Sequence, residues 1–348
     1  MAGRPETEVV VVGAGIMGSA TAAALAREGR EVVLVERFRV GHRRGSSHGA
    51  ARIFRFSHPD PLYVGMMQEA LPLWRRLEDE TGETILTVTG GLDGGSGLEQ
   101  NAAAMAARGV PFERIDGTEV TARFPALAAE PGEPFLFQAE GGIVAADVAL
   151  RAFVSSAVGR GAELVEETRV VAVRPGDDAV EIDTEDGAYR ARGAVVTAGA
   201  WARGLLTPAG VDLPVRPTRE TVAYFRLDES LPVPTLVEWA DPLGYALRNP
   251  GQGIKAAEHR VGPEIDPDEE GGPDQGSVAR IGSWIHRRFP EADPEPHLVE
   301  TCLYTNTDDE SFVLERRGRL VVGSPCSGHG FKFAPLIGER LAALAGVG

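Results

Sequence analysis

An α/β fold in two parts is what this 348-residue sequence predicts, and three separated glycine turns, each placed after an apolar strand, predict it. The first follows residues 9–12 at Gly13, the second follows residues 193–197 at Ala198-Gly199-Ala200-Trp201, and the third follows residues 319–323 at Ser327 to Gly330. Strand, tight turn and helix in that order make the unit from which parallel sheets are wound. The three sites therefore point to one Rossmann-like sheet built from discontinuous segments.

Each element has a local reason. Val9 to Val12 is a β-branched, unbroken apolar run of the kind buried on both faces of a parallel sheet. Ser19 to Glu28 is an alanine-rich helix ending at Gly29, and Glu31 to Glu36 is the next strand, which completes a βαβ start. A second pattern runs from a helix at Asp147 to Gly159, through a strand at Glu163 to Val173 and a short strand at Val180 to Thr184, to a turn at Asp186-Gly187 and the strand Gly193 to Thr197. The third closes with a helix at Pro335 to Ala345. Between them, residues 84–140 and 216–317 are richer in Pro and acids. They hold strand-like stretches such as Thr221 to Arg226 and Leu298 to Thr305, which suit a second, mixed sheet. Gly262 to Ser277 lacks apolar periodicity and reads as an exposed loop. The expected division is 5–83, 145–215 and 318–348 for the nucleotide-binding domain, with 84–144 and 216–317 for the substrate domain.

Composition narrows the partners. A formal charge of −16, with acids spread along the chain, argues against nucleic acid or an acidic membrane surface. The N-terminal residues run straight into the first strand, so neither a secretion signal nor a membrane span fits, and a soluble cytoplasmic monomer is expected. Cys302 and Cys326 belong to no disulfide framework and each needs its own explanation.

The first turn reads Gly13-Ala14-Gly15-Ile16-Met17-Gly18. Its glycines permit a tight turn and close approach of backbone N–H groups to a pyrophosphate, which the helix N-terminus also favours. Glu36, at the end of the next strand, is placed to accept hydrogen bonds from a ribose. The motif alone does not separate FAD from NAD.

Five ordered segments carry a resemblance that does separate them. They are the motif at 13–18, the run Ser46-Ser47-His48-Gly49-Ala50-Ala51-Arg52-Ile53-Phe54-Arg55, Gly253-Ile254-Lys255 with His259, Cys302-Leu303-Tyr304-Thr305, and Ser327-Gly328-His329-Gly330-Phe331-Lys332-Phe333. Over nearly its whole length the sequence resembles the monomeric sarcosine oxidase and N-methyltryptophan oxidase group, within the D-amino-acid-oxidase superfamily of flavoenzymes. The resemblance implies FAD, held by Gly13, Gly15, Ile16, Gly18, Glu36, Arg37, Ser46, Ser47, Val170, Ala198, Gly199, Trp201, Gly328 and Gly330, and bonded covalently to Cys302. It implies that Arg55 and Lys332 hold a substrate carboxylate, and that Lys255 lies over the flavin and assists electron transfer to oxygen. His48 and Arg52 would supply positive charge near the flavin, and His259 and Tyr304 would line the same cavity. Cys326, where the pattern differs, is taken as packing.

Two departures qualify the resemblance. Asp241 to Pro250, a wall of the substrate pocket in that group, lacks some expected aromatic residues, and relatives continue beyond the last helix where this sequence stops at Gly348. The expected activity is oxidation of the secondary amine of an N-methyl amino acid, with molecular oxygen as acceptor and hydrogen peroxide as product. Rival readings are a flavin dehydrogenase serving another acceptor, a flavin-binding redox protein without turnover, and an NAD-linked dehydrogenase. Lys255 favours oxygen over the first, a carboxylate clamp disfavours the second, and the third leaves Cys302 and the last glycine turn without a role.

Overall fold

The structure, a computed structural model, describes residues 6–346. Its first sheet is wound around Glu6–Val12, with Ala188–Val196 on one side and Val32–Val35 on the other, both parallel to it. Leu320–Ser324 and Glu163–Val165 extend the parallel core at either end. The valine-rich strands are buried throughout their central residues because helices cover one face and the chain's other segments cover the second. Val170–Pro175, Val180–Thr184 and Val313–Arg317 add antiparallel strands. The expected strand Glu163 to Val173 is thus two strands. The chain breaks at Glu166 and Glu167, and Glu167 takes a left-handed φ of 55°.

The helix after the first glycine turn, Ile16–Arg27, is buried on nearly all sides. Its alanines let Ala146–Val158 and Ala334–Ala345 pack closely against it. At the second crossing a side chain on Gly338 would come within 2.6 Å of the Ala20 carbonyl carbon, so the last helix touches the first backbone to backbone. This contact ties the C-terminal glycine turn to the N-terminal one.

The second sheet has eight strands in the order Leu298–Asn306, Arg216–Phe225, Gly253–Glu258, Gly244–Asn249, Thr235–Trp239, Gly91–Gly95, Pro134–Gln138 and Glu113–Asp116. All pairs are antiparallel except Thr235–Trp239 with Gly91–Gly95. Strand alternation decides what each face holds. Ile254 and Ala256 join Phe225, Leu236 and the helix Gln275–Arg288 in one apolar cluster. Lys255 and Ala257 point the other way, Lys255 toward the Ala51 carbonyl and Ala257 into a small cluster with Val222 and Tyr224. A three-stranded sheet of Ala51–Phe54, Gly142–Ala145 and Leu86–Val88 lies at the junction.

The long helix Pro61–Thr81 starts with Pro at its first position and Asp60 accepting from the Leu62 N–H at 2.8 Å, and it stops at left-handed Gly82. Its Trp74 is fully buried and donates Nε1–H to the Lys332 carbonyl at 2.7 Å, which pins the last glycine turn. The first three residues of the helix Gln275–Arg288 fall inside the expected loop, because Asp274 caps it by accepting from the Gly276 N–H.

Gly338→Val should overpack the crossing of the first and last helices and lower the unfolding free energy by about 1–3 kcal/mol. Denaturant midpoints at unchanged slope would read this, and a midpoint equal to wild type would show that the crossing has room.

Candidate active site

A cavity of about 1310 Å³ runs between the two eight-stranded sheets, from the first glycine turn to Lys332. That exceeds the roughly 300–1,000 Å³ of ordinary ligand pockets and suits a long cofactor with a substrate beside it. At one end, Gly13 has φ 96°, and a side chain there would sit 2.8 Å from the Thr197 carbonyl oxygen. A side chain on Gly18 would fall 1.8 Å from the Gly13 carbonyl oxygen, so this glycine lets helix and turn close together. Gly18 does not itself line the cavity; Gly13, Gly15 and Ile16 do. Glu36 is buried and accepts from the N–H groups of Ala14 at 2.7 Å and Phe38 at 2.9 Å. Its carboxylate is thereby fixed at the cavity edge with lone pairs to spare, as a ribose contact requires. Ser47 Oγ accepts from the Ile16 N–H at 3.0 Å, which holds the 46–49 loop against the helix N-terminus.

The other expected cofactor positions fall on the same cavity: Arg37, Ser46 and Val170, then Ala198, Gly199 and Trp201, then Gly328 and Gly330 beside Cys302. The glycine cradle, the fixed acid and the helix N-terminus fit a flavin dinucleotide. The 262–277 segment is more than an exposed loop. Glu264 to Asp268 line the cavity mouth, where Asp268 accepts from Arg37 Nη1 at 2.6 Å and Trp201 Nε1 at 2.8 Å.

In the middle of the cavity, Lys255 and Cys302 come from strands on either side of Arg216–Phe225. Lys255 is buried, and its Nζ donates to the Ala51 carbonyl at 3.1 Å. Burial and the neighbouring Arg52 push its pKa down to about 7. Arg52 donates to the carbonyls of Ala51, Ser46 and His48 at 3.0, 2.9 and 2.6 Å and so shapes the 46–51 loop around its own charge. His48 corrects the sequence expectation. It is buried outside the cavity lining, and burial together with Arg52 and Lys255 lowers its pKa to about 3, so it is neutral and Arg52 alone brings the positive charge. Tyr304 is buried on the cavity wall with Tyr245 as its phenol partner. His259 lies beside Tyr304, ring centroids 5.6 Å apart, with Nε2 3.6 Å from Glu310 Oε2. Cys326 is partly exposed at the cavity edge, where its Sγ accepts from the Thr305 N–H at 3.3 Å.

At the far end Arg55 and Lys332 come together. Burial, then the Arg55 charge, depresses the Lys332 pKa well below its ordinary value. Lys332 Nζ donates to the His329 carbonyl at 2.9 Å, and among the described residues no carboxylate pairs with it. Arg55 does have a counter-charge, Asp93, at 2.9 Å. Asp93 is 1 % exposed and also accepts from Trp239 Nε1 at 2.8 Å and Gln138 Nε2 at 3.1 Å. An anion bound here would favour the Lys332 ammonium, and beside one Arg–Asp pair that gives this end a single positive charge, the complement of one carboxylate. His58 and His329 add none. Burial and Lys332 lower both pKa values, that of His329 to about 3.

Asp93, Trp239, Tyr245 and His58 were not singled out in the sequence. Trp239 stacks over Arg55, 5.1 Å from guanidinium carbon to ring centroid, and with Tyr245 it supplies the aromatic wall that Asp241 to Pro250 seemed to lack. A compositional signal was present for the cations. The chain holds two lysines among its 35 Lys and Arg residues, Lys255 and Lys332, and both are buried on this cavity. Where surface charge is needed the chain uses arginine, and it keeps lysine where a compact, titratable point charge is needed.

Residues 8–344 match the family described as FAD dependent oxidoreductases. The human peroxisomal sarcosine oxidase is 34% identical over 97% of this chain and 92% of its own. The monomeric sarcosine oxidase of Bacillus sp. (strain B-0618) is 32% identical with the same coverage. The solved structure of NikD, an amino acid oxidase essential for nikkomycin biosynthesis, superposes with a TM-score of 0.89 at 28% identity and covers 98% of this chain and 94% of NikD.

Replacing Asp93 by Ala would leave a buried guanidinium, an indole N–H and an amide without their acceptor. The variant should lose about 3–5 kcal/mol of stability in denaturant titration. A loss under about 1 kcal/mol would mean that Arg55 is solvated and not held by Asp93.

Proposed function

The chain belongs to the family of FAD dependent oxidoreductases, and we propose that it oxidises the secondary amine of an N-methyl amino acid, of the sarcosine or N-methyltryptophan type, using dioxygen. The observation that carries this reading is the pair of buried cations, Arg55 and Lys332, short of one negative charge at the end of the cavity opposite the dinucleotide cradle. The names of the human and Bacillus relatives support it, and the Bacillus name supports a monomer.

The substrate carboxylate supplies the missing charge between Arg55, a planar fork, and Lys332, a point donor. Held there, the amine end is directed back along the cavity toward Lys255, Tyr304 and Tyr245. Lys255, Arg52, Arg55 and Lys332 make the cavity positive, which disfavours the ammonium form of the substrate and selects the neutral, reactive amine. No side-chain base is then required; His48 and His329 remain neutral, and His329 Nε2 lies 3.1 Å from the Glu310 carbonyl oxygen. FAD, when bound, supplies the acceptor for the hydride equivalent and the route of its electrons to oxygen. Lys255 places a fixed cation where negative charge develops on oxygen. The imine product hydrolyses in water to aldehyde and amine.

Cys302 is the proposed covalent attachment point. It lines the cavity on the strand paired with Arg216–Phe225, its Sγ 3.9 Å from the Ser46 carbonyl oxygen that Arg52 also holds. Acid-precipitated wild type should retain its yellow colour in the pellet, whereas Cys302→Ala should release flavin to the supernatant. Retention by the variant would move the bond to another residue.

The clamp is tested by titrating the flavin spectrum with an N-methyl amino acid. Arg55→Met and Lys332→Met should each weaken binding by about 1.5–3 kcal/mol. Because both serve one carboxylate, the double variant should depart from the sum of the singles. Additive effects of a few tenths of a kcal/mol would assign the cations to structure alone.

A further inference from the structure

Lys255 has surroundings that substrate binding does not explain. Its Nζ uses one donor on the Ala51 carbonyl, and an ammonium has three. A side chain on Gly49 would meet Arg52 Nη1 at 3.3 Å, Lys255 Nζ at 3.9 Å and Tyr224 Oη at 4.0 Å, so polar groups from three strands converge on a residue without a side chain. Tyr224 is the direct cross-strand partner of Lys255, which puts both on one face of the sheet. Its hydroxyl donates to Glu300 Oε2 at 2.9 Å. Glu300 Oε1 pairs with Arg43 at 2.8 Å, and the Arg43 side chain is 70% exposed. A hydrogen-bonded run therefore leads from the surface to the neighbourhood of the buried ammonium.

The chemistry calls for such a run. Reduction of dioxygen to hydrogen peroxide consumes two electrons and two protons; the hydride equivalent taken from the amine accounts for both electrons and one proton. We propose that Glu300 and Tyr224 are positioning residues for Lys255, holding its charge and returning its proton from solvent after each turnover through a water seated against Gly49. The inference rests on the oxidase reading above. In the step proposed, an N–H bond of the Lys255 ammonium breaks as the second O–H bond of the peroxide forms. The neutral amine then takes a proton from that water, and the water takes one from Tyr224 Oη as a solvent proton, passed along Arg43 and Glu300, reaches the same oxygen. The water has the polar partners it needs in Lys255, Tyr224 and Arg52.

The groups that face Lys255 set its charge. Arg52, from the strand Ala51–Phe54, opposes protonation after burial itself, while Glu300, from Leu298–Asn306, and Asp147, from Ala146–Val158, favour it. Tyr224 keeps its proton, since burial and Glu300 raise its pKa, and so it serves as donor and conduit without becoming an anion. Leu247, its partner on the other neighbouring strand, and neutral His48 also lie near Lys255.

Two lysines in the chain mean two signals in holoenzyme grown with lysine labelled at the ε-carbon, and Lys255→Met assigns them. Glu300→Gln should lower the Lys255 titration midpoint by about one pH unit. In Tyr224→Phe, reoxidation of the reduced enzyme in air should slow by about tenfold or more, with added small acids such as imidazolium restoring it and reduction by substrate unchanged. An unmoved midpoint in Glu300→Gln overturns the inference. So does normal reoxidation in Tyr224→Phe when Lys255→Met is slow. If Lys255→Met itself reoxidises at the wild-type rate, the oxidase reading fails and this inference with it.

Discussion

Uncompensated positive charge buried in a cavity is the constraint on which the rest of this structure turns. The chain carries a formal charge of −16, yet Lys255, Lys332, Arg52 and Arg55 all lie on one cavity, and among the described residues Asp93 is the carboxylate bonded to any of them. Moving such charges out of water is costly unless hydrogen bonds and counter-charges replace the solvent. Backbone carbonyls do much of this. Ala51, Ser46 and His48 face Arg52, Ala51 faces Lys255, and His329 faces Lys332. What carbonyl dipoles leave unbalanced is available to a bound anion, and the same field keeps His48 and His329 neutral.

The fold brings the charges together by simple alternation. In Gly253–Glu258 the odd-numbered Lys255 faces the cavity while Ile254 and Ala256 pack under the helix Gln275–Arg288. In Leu298–Asn306 the same rule turns Cys302 and Tyr304 inward. Arg55 sits just past a strand of the junction sheet, and Lys332 sits on the turn before a helix whose glycine touches the first helix. A one-residue slip in any of these strands would exchange a cation for an apolar side chain at the cavity wall. Site geometry and core packing are therefore fixed by the same registers.

Much of this was legible in the sequence, and what was legible had a short-range cause. The first βαβ unit could be read because Val9 to Val12, the glycine turn and the alanine helix each specify their own conformation. Boundaries drifted where tertiary contacts decide: the first helix starts at Ile16 because Gly15 caps it and Ser47, 31 residues beyond Ile16, accepts the Ile16 N–H, and the strand after Gly161 breaks at Glu167. Arg55 and Lys332 were found through their contexts, but Asp93 was not. A single Asp between glycines in Gly91–Gly95 carries no local mark of being a buried counter-ion, since its partners Arg55, Gln138 and Trp239 are 38, 45 and 146 residues away. His48 illustrates the opposite failure, where identity suggested a charge that burial among cations removes.

The central claim is that a carboxylate completes this site and that its amine is what the enzyme oxidises. The direct measurement is hydrogen peroxide released from a panel of N-methyl amino acids, each beside the matching amine that lacks the carboxylate, at equal concentration in air-saturated buffer. The account predicts peroxide in proportion to amino acid consumed and little or none from the decarboxylated partner. Equal turnover of the simple amines would contradict it.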